Sequence, residues 1–451
     1  MRTAGRVAIG VVALALAGFG VFAALAWRSE IAAVDPPEVS SFPPELVTRG
    51  ADLAAIGNCA VCHTTPNGKP FAGGLPVPTP FGTVFSVNIT PDPDTGIGRW
   101  SREAFDRALG EGVDRRGNHL YPAFPYDHFT LVTADDRAAL YAYLMTRTPV
   151  QAEAPANDLI FPLSLRMLVT GWKILFLHKG PYRENAAQSA EWNRGAYLVE
   201  GLAHCGSCHT PRNFLGGEMK SASYDGADVE NWHAYAINAK SPAPVPWTAE
   251  SLRDYLRQGW HEHHGISRGP MASVTANLGS VPEEDVAAMA TYVASLMGTP
   301  TAERIAAGQV TLAAAEQSGP GDDENAAMPG AALYGGACAR CHSGGRPVPF
   351  GGLDLTLSTA IQAHNPQNIA NVVLNGIPPA EGERSPIMPA FGAALSDQQT
   401  ADLLAYLRAR FSDKPAWSGL DQVARTARAS ATKTYRADGA QNAPPPASAG
   451  E

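Results

Sequence analysis

The sequence predicts a mainly α chain in which three tandem copies of one small helical domain follow an N-terminal membrane helix. Three observations predict it: six cysteines that fall into three copies of one pentapeptide, a Gly-Ala-x-Leu tetrapeptide ahead of each copy, and an uncharged run at the start of the chain. A length of 451 residues allows about three units of ordinary size. With 45% hydrophobic and 17% charged residues, the chain has enough apolar material for real cores. Its net charge of −9 comes without a long basic run that could track a phosphate backbone, so nucleic acid is not an expected partner. Gly (44) and Pro (37) are over-used, which favours loop-rich domains over long regular bundles.

The pentapeptides are Cys59-Ala60-Val61-Cys62-His63, Cys205-Gly206-Ser207-Cys208-His209 and Cys338-Ala339-Arg340-Cys341-His342, and no cysteine is left over. Cys-x-x-Cys-His is the attachment pattern of haem c: two thiols add to the vinyl groups, and the adjacent imidazole turns onto the iron. Three other chemistries use paired cysteines. A thioredoxin-like site needs no His and would not come in triplicate. A zinc ribbon pairs two hooks a short distance apart, whereas these lie a domain length apart. Disulfides within each pair would close strained loops. Three covalently bound haem c groups are therefore expected, on Cys59, Cys62, Cys205, Cys208, Cys338 and Cys341, with His63, His209 and His342 as axial ligands.

Arg2 and Arg6 precede an uncharged stretch from Val7 to Trp27, closed by Arg28. It is long enough to span a bilayer as one helix, and it also reads as a secretory signal with Ala24-Leu25-Ala26 at the cleavage site. Either way the positive end stays inside, so residues 1–34 are an anchor or signal at the inner membrane, with the haem domains facing the periplasm.

Gly50 to Leu53, Gly195 to Leu198 and Gly330 to Leu333 each open a short helix that runs into the first Cys, the mark of an internal repeat. Each copy closes with a helical pattern ending in Tyr and a branched residue: Asp135 to Leu144, Glu283 to Val293 and Asp397 to Leu407. Thr133 and Ser396 are expected N-caps, and Pro282 is expected at a first helical position. The resulting organisation is domain 1 over 44–150, a linker over 151–188, domain 2 over 189–300, a linker over 301–325, domain 3 over 326–412 and a disordered tail over 413–451. The first linker, with Trp172, Phe176 and several leucines, reads equally as a membrane-surface segment or as a helix buried between domains.

This layout resembles class I cytochrome c, in which an N-terminal helix bearing the motif and a C-terminal helix cross over a haem that serves as the core. The resemblance implies a Met thioether opposite the His. Pro386-Ile387-Met388-Pro389 supplies Met388 in the third copy and Gly269-Pro270-Met271 supplies Met271 in the second, while Met289 and Met297 read as packing residues. In the first copy Pro122-Ala123-Phe124-Pro125 has Phe where the third has Met, and phenylalanine cannot bind iron. His128 is the candidate ligand there, with His119 or an open position as alternatives. His261, His263 and His264 read as a solvated loop cluster.

The three motifs, Asn88-Ile89-Thr90-Pro91-Asp92, Leu120 to Tyr126 and Gly171-Trp172-Lys173 resemble the membrane-bound tri-haem cytochrome c subunits of periplasmic dehydrogenases, over about residues 44–412. The resemblance implies an electron relay from a catalytic subunit of molybdenum, quinoprotein or flavoprotein type to membrane ubiquinone or a terminal oxidase. Phe124 looks closer to the cytochromes that serve molybdenum hydroxylases of aldehydes or N-heterocycles. The competing reading is a haem enzyme, such as a peroxidase, working at an open first iron.

Overall fold

The computed structural model describes residues 2–317, 323–342, 352–378 and 387–430. Two units emerge, Met1–Glu184 with Glu200–His204, and Asn185–Val199 with the described part of residues 205–430.

The first unit begins with α1 (Arg2–Ala26), whose Ile9–Ala26 stretch is long and apolar enough to cross a membrane. The next helices are α2 (Pro44–Ile56) and α3 (Cys59–His63), the latter a single turn carrying the first motif. A hairpin of β1 (Pro76–Thr79) and β2 (Gly82–Phe85) follows, and β3 (Asp158–Leu159) from the first linker adds antiparallel to β2. Then come α4 (Arg102–Glu111), α5 (Tyr126–Phe129), α6 (Ala134–Met145) and α7 (Val169–Phe176). Thr133 caps α6 as its sequence predicts, its side chain accepting from the Asp136 amide.

The second unit repeats the plan. It has α8 (Ala190–Tyr197), α9 (Gly206–His209), a hairpin of β4 (Ala227–Val229) and β5 (Trp232–Ala234), and α10 (Ala249–Gln258). A short hairpin of β6 (Trp260–His261) and β7 (Gly265–Ile266) leads to α11 (Pro270–Leu278) and α12 (Glu283–Met297). Pro282 stands at the N-cap of α12, one place before the expected position. Beyond lie α13 (Ala302–Gln317), α14 (Pro329–Ala337), α15 (Ala339–His342), α16 (Thr359–Gln362), α17 (Gln367–Asn375), α18 (Asp397–Phe411) and α19 (Leu420–Ser430).

One helix crossing recurs three times. A Cβ placed on Gly50 would lie 2.0 Å from the Ala139 carbonyl and 2.6 Å from Tyr143 Cβ. On Gly195 it would lie 1.9 Å from the Ala288 carbonyl, with Tyr292 Cβ at 2.9 Å, and on Gly330 it would lie 2.2 Å from the Asp402 carbonyl, with Tyr406 Cβ at 2.7 Å. The glycine of each Gly-Ala-x-Leu therefore lets α2, α8 and α14 touch the backbones of α6, α12 and α18, and the tyrosine near each closing helix end covers the crossing. Two crossings carry a further tie: Arg49 pairs with Asp136, and Arg194 grips Asp285 at 2.7 and 2.9 Å. In the third, Pro329 stands in place of the arginine.

The 301–325 linker holds a helix, and the tail departs from the disorder expected of it. In the 301–325 linker, α13 is held by Arg304, which donates to the carbonyls of Ser241 and Ala243 at 3.1 and 2.9 Å. The tail expected from 413 begins with an ordered helix: Ala427 of α19 is buried in the core with Leu403, Leu407 and Phe411, and Arg428 bonds Asp397 at 2.8 Å and the Leu395 carbonyl at 2.7 Å. The Leu420, Val423, Ala424, Ala427 spacing is helical, but it rests on alanines and gives a weak apolar signal. The Pro-rich run at 442–447 lies outside the described residues.

Candidate haem-binding sites

Each motif sits on a short turn at the end of its domain's first helix. Asn58 in the first copy and His204 in the second take left-handed conformations (φ 52° and 40°) that break the chain's direction just before the first Cys. All six thiols are free of disulfides. Burial pushes Cys59 up to about 12 and Cys338 up to about 11, and it raises Cys208 as well. Such surroundings disfavour the thiolate that zinc binding requires and suit an uncharged thioether.

The three histidines share one arrangement. His63 Nδ1 lies 2.6 Å from the Val87 carbonyl, His209 Nδ1 lies 2.6 Å from the Tyr235 carbonyl, and His342 Nδ1 lies 2.8 Å from the Leu353 carbonyl. A carbonyl only accepts, so Nδ1 carries a proton, and in the neutral ring Nε2 then keeps the lone pair that binds a metal. Burial lowers the pKa of His63 and His209, which keeps both rings neutral.

The carbonyls are placed by the wrap after each motif. The Gly73 amide donates to His63 O and the Gly226 amide to His209 O, each at 2.8 Å, while the Thr64 and Thr210 hydroxyls accept from the amides of Phe71 and Tyr224. Phe71 and Tyr224 share a left-handed φ of 63° and 62°. From these matched corners the β1–β2 and β4–β5 hairpins carry Val87 and Tyr235 back to the imidazoles. The third copy takes a shorter route: a Cβ on Gly352 would meet the His342 ring at 2.6 Å, so the glycine lets Leu353 approach directly. A thiol pair whose first member is at least half-buried and an imidazole held through Nδ1 form a donor set that fits covalent haem c at each motif.

Met271 stands half-buried in the first turn of α11, after Gly269, which takes a φ of 60°. Met388 is half-buried against the third copy's core and pairs through its backbone with Ile377, at 2.8 and 3.2 Å; Pro386 lies outside the described residues. Met289 and Met145 are buried inside their closing helices as packing residues.

Around the first site, Phe124 packs on Phe129 with ring centroids 5.2 Å apart. His128 is buried, its Nδ1 2.6 Å from the Glu200 carbonyl and its ring 6.5 Å from that of His204. His119 has both nitrogens engaged: Nε2 donates to Ala26 O at 2.8 Å, with the Thr170 hydroxyl at 3.0 Å, and Nδ1 accepts from Lys173 at 2.9 Å. Lys173 also donates to Gly112 O and lies over the Tyr126 ring, and burial lowers its pKa to about 7. His119 and Lys173 thus tie α7 to the exit of α1.

The Asn88 to Asp92 motif is structural. Asn88 donates to Val150 O at 2.7 Å, closing the end of the domain against the wrap, and Asp92 accepts from Thr95, which holds its carboxyl below the usual range. The histidine cluster departs from a solvated loop: His264 is buried, stacked on Trp247 at 3.5 Å, and driven down to about 3 by burial.

Helix pairs crossing on glycine, with a thiol pair and a clamped histidine at the end of the first helix, define a c-type cytochrome. Residues 47–148 match the family model of cytochrome c, and residues 325–407 match that of cytochrome c oxidase, cbb3-type, subunit III. The chain is 36% identical over 427 residues to the fructose dehydrogenase cytochrome subunit of Gluconobacter japonicus, covering 90% of this chain and 86% of that one. It is 36% identical over 380 residues to the gluconate 2-dehydrogenase cytochrome c subunit of Pantoea cypripedii, covering 80% and 85%. It is 47% identical over 419 residues to a nicotinate dehydrogenase subunit of Pseudomonas putida, covering 92% of this chain and 34% of that protein, so it spans about a third of that relative's length. The chain belongs to the family of cytochrome c subunits of dehydrogenases, electron-relay chains that hold haem c covalently.

Proposed function

We propose that the chain holds three haem c groups in three tandem domains and relays electrons from a periplasmic catalytic dehydrogenase subunit to membrane ubiquinone or a terminal oxidase. Haem c supplies a one-electron couple at each site. The observation that carries this reading is the clamped histidine, found in all three motifs with its carbonyl at Val87, Tyr235 and Leu353. Phe124 and the greater identity to a nicotinate dehydrogenase subunit favour a partner that oxidises N-heterocycles or aldehydes. Met271 and Met388 serve as the sixth ligands of the second and third haems, and His128 is the candidate at the first, which lacks a thioether.

Intact mass and a pyridine haemochrome of the purified chain test the count, and three haems are the expected result. A redox titration is expected to give two haems with the thioether charge-transfer band and one at lower potential without it. Changing Met271 or Met388 to alanine should each abolish about half of that band. Fewer than three haems overturns the count, and a band at the strength of three overturns the assignment at the first site.

The same proposal keeps α1 as an uncleaved anchor at the inner membrane. Cleavage after Ala26 would remove the carbonyl that buried His119 holds. Close to this exit, Phe161, Ile174 and Leu175 are 80%, 63% and 58% exposed, and Arg166 and Thr170 of the same segment bond His119. Apolar side chains beside the emerging helix suit the bilayer surface as their cover. A photo-crosslinking residue at position 161 or 174 of the full chain in phospholipid vesicles is expected to label lipid, and one at exposed Phe214 is not. No label at 161 and 174, or equal label at all three, overturns this seat.

A further inference from the structure

Among the described residues, Arg268 is a cation without an anion. Its guanidinium is half-buried, Nη2 donates to Gly376 O at 3.3 Å, and Nε is buried with no partner. Among the described residues no carboxylate lies within ion-pair distance of it. Leaving a half-buried guanidinium uncompensated is unfavourable, so its surroundings call for a negative group.

Its position says which one. The loop that carries it is fixed on both sides: Ser267 bonds Thr275 at 2.7 Å, and Gly269 lies so close to Trp232 that a Cβ there would meet the indole at 2.5 Å. Met271 follows at the start of α11. Gly376, which Arg268 reaches, ends α17 and packs against the Met388 strand, since a Cβ on it would lie 2.6 Å from Met388 O. Arg268 therefore joins the two methionine loops. The second and third copies also meet nearby, where Asn368 brackets His233 through its amide and carbonyl, at 2.8 Å each.

We propose that Arg268 is the counter-ion of a haem propionate at the seam between the second and third copies, and that it raises the potential of the haem it pairs with. The inference rests on the three-haem reading above. The guanidinium fork suits a carboxylate bidentately, and its positive charge favours the electron-rich ferrous state of the neighbouring iron. One residue thereby holds a haem edge and joins the two domains that pass the electron on.

The test is a redox titration of the full chain carrying Arg268→Met, Arg268→Gln or Arg268→Lys, each first checked for haem content by mass and haemochrome. With three haems retained, Met and Gln are expected to lower the reduced fraction of a thioether-ligated haem about tenfold at fixed ambient potential, leaving the first haem unchanged, and Lys is expected to restore most of the shift. Unchanged potentials in Met and Gln, or an equal shift of all three haems, overturn the proposal while the relay reading stands. A wild-type chain with fewer than three haems instead overturns the reading beneath it.

Discussion

Replacing Cys205 and Cys208 together with alanine is expected to yield a chain lighter by one haem, with its second domain unfolded. The reason is the three-haem reading: the hairpins and short helices around that motif form a wrap whose interior the macrocycle would complete. Burying several hundred Å² of apolar porphyrin contributes about 10 kcal/mol at roughly 25 cal/mol per Å². That is comparable with the whole stability of an ordinary domain, about 5–15 kcal/mol. Limited proteolysis and intact mass report the result: cuts should concentrate between α8 and α12. A two-haem variant that resists protease as the wild type does would show that the helices stand without the cofactor.

Changing Gly195 to valine is expected to destabilise the same domain by about 3–5 kcal/mol with all six thiols untouched. The added carbon would sit 1.9 Å from a backbone carbonyl of α12, and a backbone cannot swing aside as a long side chain can. The helices must separate, taking the buried Tyr292 out of place and straining the Arg194–Asp285 pair. Gly50 and Gly330, with contacts of 2.0 and 2.2 Å, should respond alike. Gly171→Ala is the control: nothing lies within 4 Å of its added carbon, and a helix interior gains up to about 1 kcal/mol from the change. Denaturant melts followed by haem absorbance measure all four. A Gly195 variant as stable as the Gly171 one would refute the crossing.

The three Cys-x-x-Cys-His turns and the opening and closing helices of each copy were legible in the sequence because their patterns are local. Gly-Ala-x-Leu was visible as a repeat, yet the need for its glycine depends on a partner helix about seventy to ninety residues away. The partners of the histidines were not legible, because Val87, Tyr235 and Leu353 act through carbonyls that every residue possesses. His119 and Lys173 looked like loop and linker residues, and only the packing of α7 beside the end of α1 makes them a buried pair. Arg268 gave no signal either, since the lack of a nearby acid among the described residues is a three-dimensional fact. Helix α13 and helix α19 were missed because alanine-rich faces bury little area and mimic linkers.

The backbone clamp on the three motif imidazoles also bears on how such a chain can diverge. A carbonyl does not change when its side chain does, so drift at Val87, Tyr235 or Leu353 leaves the imidazole's basicity constant. On the proposed ligand assignment, variation at Phe124, Met271 and Met388 then becomes the free dial. On the three-haem reading, one scaffold would give three redox steps of different height while the clamp behind each imidazole stays the same.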